Sequence, residues 1–98
     1  MTALEDFTAA TFSPHVGEVF RLHADAVVLD VELINVDELG ESSPGRAPFS
    51  LLFRGPAEPI LPQRIYRFEH DAIGEFDIFI VPIGFDETGG LRYEVVFA

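Results

Sequence analysis

The sequence predicts an all-β domain of about six mainly antiparallel strands, in a small barrel or a sandwich, behind a short N-terminal helix or arm. Three observations carry this. From residue 16 onward, apolar and polar side chains alternate in short runs, the period of strands with one side on a core. Clusters of Gly, Pro and Asp separate the runs, and no stretch is long enough for the helical crossovers that parallel strands need. Ten Phe and two Tyr among 98 residues exclude a disordered chain and provide for one core, so residues 1–98 read as a single domain.

Residues 1–13 read as the helix or arm. Thr2 and Glu5 have capping-box spacing, Leu4, Phe7 and Phe12 are placed to lie against the domain, and Ser13-Pro14 closes the segment. A strand over Val16–His23 follows, with Arg21 between Phe20 and Leu22. The clearest run is Val27–Ile34, where Val27, Leu29, Val31 and Leu33 alternate with Val28, Asp30, Glu32 and Ile34. Asp37–Pro48, with Gly40, Pro44 and Gly45, reads as a long loop, a kind of segment that is often functional.

Alternation resumes over Pro48–Arg54 with Phe49, Leu51 and Phe53. Gly55–Pro62 breaks it with three prolines. Gln63–His70 places Tyr66 and Phe68 on one face, and Asp71–Gly74 connects to Glu75–Ile83. That run has Phe76, Ile78 and Ile80 opposite Phe79, and apolar residues on both faces point to a central strand, or one in a closed or two-layered sheet. Val81-Pro82 marks an edge or a bulge in it. Gly84–Gly90 is a turn, and Leu91, Tyr93, Val95 and Phe97 alternate to the end.

The charge balance narrows the partners. Seventeen acidic residues face six basic ones, all Arg and scattered, for a net charge of −11. Nucleic acid and anionic membrane surfaces demand clustered cations, so both are excluded as partners. The acidity serves solubility or steers in a basic protein. There is no cysteine, no run of membrane-spanning length, and an acidic Met1–Asp6 where a signal peptide would be basic; a cytoplasmic location is expected.

No complete chemical constellation stands in the sequence. His15, His23 and His70 lack metal-ligand spacing, so neither a metal nor a cofactor is expected. Ser13, Ser42, Ser43 and Ser50 lack the Gly-x-Ser-x-Gly frame of a nucleophile. Asp30 and Glu32 share a strand face but read as a solvated one, and Asp37, Glu38 and Glu41 lack the oxygen-ligand pattern of a calcium loop. Gly84–Gly90 has no Lys and no following helix, so it is not a phosphate loop. His70-Asp71, adjacent at a strand end, is the remaining acid–base pair; the plainer reading has Asp71 accepting amide hydrogen bonds in its own turn. Phe79 and Phe85 are the aromatics expected at the surface, where they would mark a protein contact.

Pro48–Pro56, Tyr66-Arg67-Phe68-Glu69-His70, Gly74, Phe79–Gly84 and Tyr93–Phe97 together resemble a bacterial family of small domains of unknown function, over nearly the whole chain from Leu4 onward. The resemblance implies no activity and no catalytic residues. The expected function is a non-enzymatic protein-interaction or assembly module, with a protein partner or self-association. The alternative is a small-molecule-binding barrel or minor enzyme with a pocket near His70 and Asp71.

Overall fold

Turn chemistry and period-two alternation give six strands: β1 (Val19–Ala24), β2 (Val27–Glu38), β3 (Phe49–Gly55), β4 (Arg64–His70), β5 (Gly74–Phe85) and β6 (Leu91–Phe97). The computed structural model describes residues 7–40 and 48–97. All neighbours are antiparallel, in the order β1-β2-β3-β6-β5-β4, and β4 pairs back onto β1 to close a barrel. Between barrel and sandwich, the β1–β4 ladder (Arg21 opposite Glu69, Leu22 opposite Phe68, His23 opposite Arg67) decides for the barrel.

Inward positions are those the alternation assigns: Phe20 and Leu22, Val31 and Leu33, Phe49, Leu51 and Phe53, Tyr66 and Phe68, Phe76, Ile78 and Ile80, and Leu91, Tyr93, Val95 and Phe97 are all buried. Strand bounds shift from the sequence reading: β1 begins at Val19, and β5 runs on through Gly84 and Phe85. β2 runs on to Glu38, because Asp37 and Glu38 pair with Ser50 and Phe49, so the loop begins later than Asp37. In β5, only one face is covered; a closed barrel has no second layer, so Phe79 faces outward. The expected irregularity at Val81-Pro82 is a register shift between Pro82 and Gly84.

Both ends are closed. At one, the N-terminal arm makes a short helix, α1 (Ala9–Phe12), and a 3-10 turn over Ser13–His15 begun by Pro14. The Thr8 amide donates to Thr11 Oγ1 at 3.0 Å, tightening the first turn of α1. The Thr2–Glu5 capping box and Leu4 lie outside the described residues, but Phe7 and Phe12 are buried as expected. Phe12 meets Phe7 edge-on at 5.2 Å and Phe76 at 5.8 Å, and Phe7 reaches Phe76 at 5.2 Å and Phe97 at 6.3 Å. The arm thereby enters where the β5–β6 ladder, which spans Val81–Phe85 and Leu91–Glu94, has ended. At the other end, Leu61 of the proline-rich segment is buried; its amide donates to the Tyr93 hydroxyl at 3.2 Å, and the Tyr66 hydroxyl donates to the Pro62 carbonyl at 2.8 Å. The interior is filled by side chains, as small barrels generally are. No helix among the described residues is long and apolar enough to cross a membrane.

Candidate functional site

Three polar side chains that the sequence scatters meet beside the arm. Backbone bonds hold the approach to β1 in place: the Gly17 amide donates to the Leu33 carbonyl at 2.7 Å, and the Leu33 amide to the Glu18 carbonyl at 3.0 Å. Glu18 Oε1 then lies 2.9 Å from His15 Nδ1 and 2.8 Å from His70 Nε2. The ring of His70 packs on Phe20 with centroids 4.4 Å apart. One ligand atom from each of His15, Glu18 and His70 falls within 4.8 Å of the others, close enough together for a metal ion.

The hydrogen bonds argue against that use. His70 Nδ1 accepts the amides of Ala72 at 3.1 Å and Ile73 at 3.3 Å, so its lone pair is engaged and the ring proton sits on Nε2. Nε2–H therefore donates to Glu18, and a cation there would require an imidazolate. His15 Nδ1 likewise donates, because a carboxylate only accepts. The trio is a latch that ties the arm, through Glu18, to the end of β4.

The bonds from His15 and then His70 hold the Glu18 carboxyl below the ordinary Glu range, burial opposing them. The sign follows from linkage: a carboxyl with a lowered folded pKa stabilises the fold above its unfolded pKa, and that contribution is lost as pH falls through the folded one. The urea midpoint of Glu18→Gln, measured from about pH 5 down to about pH 3 around the usual Glu pKa, is expected to fall less steeply than that of the unmodified chain. Parallel profiles would show that the latch adds no acid sensitivity.

The neighbouring pair suggested by sequence, His70 and Asp71, does not act together. Asp71 is exposed and accepts from Arg21 Nη2 at 2.9 Å. The turn amides go to His70 rather than to Asp71, which corrects the plainer sequence reading of that turn. His23 belongs to a separate surface network, with Glu69 Oε1 at 3.0 Å and Arg21 Nε at 3.3 Å from the same oxygen. Concavities of about 540 Å3 and about 300 Å3 lie elsewhere: the first beside Asp30, Glu32 and Arg54, the second beside Leu61, Pro59 and Tyr66; neither includes His70 or Asp71.

The β5–β6 turn is braced from inside its own loop. Arg54 of β3 stands opposite Arg92 of β6, a like-charge pairing, and Asp86 compensates it by bonding Arg54 Nε. Asp86 Oδ1 also accepts the amides of Thr88 and Gly90, each at 2.9 Å. Burial raises the Asp86 pKa, but the bonds from Arg54, Thr88 and these amides outweigh it and bring it down to about 2. A Cβ at Gly90 would come within 2.5 Å of Arg54 Nε, so this brace admits no larger residue unless Arg54 moves. Gly84 and Phe85 end β5 as strand residues, and Asp86–Gly90 is a structural turn. Asp30 and Glu32 stand opposite Arg21 and Arg54 in the strand register, Ser50 lies in β3, and Glu41, Ser42 and Ser43 fall outside the described residues.

The remaining unusual surface is apolar. Ile65 and Phe79 face each other across the β4–β5 ladder and are 64% and 50% exposed, and Val96 on β6 is 58% exposed. Leu52 and Val81 flank Glu94 on either side in the outer row. Phe85, expected at the surface, is exposed at the far end of β5.

A sequence profile for the family described as Domain of unknown function (DUF6916) matches residues 7–97. The chain belongs to this family. The DUF6916 match takes in the arm as well as the barrel, in keeping with Phe7 and Phe12 being core residues. No curated protein and no solved structure matches the chain. Sequence reasoning missed the latch in this DUF6916 domain, since Glu18 and His70 are 52 residues apart. It found Phe79 by its place opposite the buried set, but not Ile65 and Val96, whose β-branched side chains read as ordinary strand residues.

Proposed function

We propose that this DUF6916 domain is a non-enzymatic protein-interaction module whose contact surface is the outer face of β4, β5 and β6. The carrying observation is the exposed cross-strand pair of Ile65 and Phe79, continued toward Val96. Large apolar side chains grouped on the surface of a small acidic domain mark a contact, because leaving them in water costs about 25 cal/mol per Å2. A filled barrel and a histidine cluster committed to a latch favour this reading over a ligand pocket.

Site-specific photo-crosslinking tests it. A photoreactive phenylalanine analogue at Phe79, in cells making the protein, is expected to give a discrete adduct with a partner. The same analogue at Val28, exposed on β2, is expected to give none. Equal labelling at both positions, or none at Phe79, would defeat the proposal.

A further inference from the structure

The charges within the apolar stripe say what kind of partner it takes. In the outer row of the barrel, Glu94 of β6 stands between Leu52 of β3 and Val81 of β5. Two positions further along, past the end of the β5–β6 ladder, Val96 and Phe79 are each exposed on their own strand, and Ile65 of β4 stands opposite Phe79. Glu94 makes no ion pair or hydrogen bond with any described residue, whereas Glu75 and Asp77 of β5 pair with Arg67 and Glu69 of β4 pairs with Arg21 and His23. A lone carboxylate is thereby flanked by Leu52 and Val81, with Val96 exposed two residues on along its own strand.

We infer that the stripe docks a cationic segment of another protein, one that alternates Lys or Arg with apolar residues, and that Glu94 receives the cation. This rests on the interaction reading above and specifies its partner. The cation is drawn by the apolar flanks: a guanidinium or ammonium on Glu94 lays its methylene stem on Leu52 and Val81 while the apolar residues of the segment reach Phe79 and Ile65, so apolar burial and ion pairing reinforce each other. A second copy is the wrong occupant. It would bring its own net charge of −11 and a second Glu94 to the same surface, and like charges brought together at an interface are strongly unfavourable. Anionic surfaces are repelled for the same reason.

Two short fluorescent peptides of identical apolar content are the probes, one with Lys and one with Glu at the alternate positions, with binding read by anisotropy. The Lys peptide is expected to bind and the Glu peptide not. Glu94→Gln is expected to weaken binding of the Lys peptide about fivefold, the scale of one exposed ion pair. Phe79→Ser should weaken it about tenfold or more, as loss of an apolar anchor does. Asp30→Asn, a control carboxylate on β2, is expected to stay within about twofold. Equal losses for Asp30→Asn and Glu94→Gln would mean diffuse charge attraction and overturn the inference, as would equal binding of the two peptides or no binding. A dimer held through Phe79 in light scattering would overturn it too. Because the interaction reading stands on the crosslink at Phe79, a discrete adduct together with any of these outcomes would reject only the cationic partner.

Discussion

Phe12→Ala is expected to cost about 3–5 kcal/mol, the range for truncating a fully buried Phe. Its side chain lies on a four-residue helix outside the barrel, yet it is fully buried and touches rings from β1, β3, β5 and β6. Removing it opens a cavity where the arm, the end of β6 and the start of β5 converge, and rigid strands cannot collapse to fill it. A domain of this size has about 5–15 kcal/mol in all, so the variant would keep a small margin. Each kcal/mol moves the melting midpoint by about 4–8 °C, which makes the effect plain in a thermal melt followed by near-UV circular dichroism. A loss below about 1 kcal/mol would show that the arm is an accessory to the barrel and not part of its core.

His70→Ala is expected to cost about 2–4 kcal/mol, summed from lost packing and stranded polar groups. The ring packs at a tilt on Phe20, its Nδ1 is the acceptor for the amides of Ala72 and Ile73, and its Nε2–H is one of the donors to Glu18. His70→Asn separates these roles, because its carbonyl oxygen falls near the place of Nδ1 and keeps the turn amides satisfied while the ring and the Glu18 contact are lost. Urea unfolding is expected to rank the unmodified chain above His70→Asn, and His70→Asn above His70→Ala. Equal losses in the two variants would assign the stabilisation to the ring packing and the Glu18 bond together and remove the turn bonds from the account.

Some of this was legible in particular residues. Phe49, Leu51 and Phe53 announce β3 and its inward face, and the structure follows them residue for residue. Phe76, Ile78 and Ile80 do the same for β5, with Phe79 on the other side. Asp37 and Glu38 misled, because polar residues at the end of a strand look like a loop until a partner strand continues beside them. His70 misled in another way: its neighbour Asp71 is the better turn former by propensity, but the buried position falls to His70 and the amides bond what is near.

The sequence alone determined that there are six strands, which residues of each face the core, and that the whole carries a large negative charge, because period-two alternation and composition are local properties. Only the tertiary structure decided that β4 closes onto β1, that the arm plugs the barrel, that Glu18 joins His15 to His70, that Ile65 stands exposed opposite Phe79, and that Leu52 and Val81 flank Glu94. Alternation says which way a side chain faces, but not which strand lies next to it. Neighbours are set by long-range pairing and by the burial that pairing makes available, and the surface that remains exposed is what a partner meets.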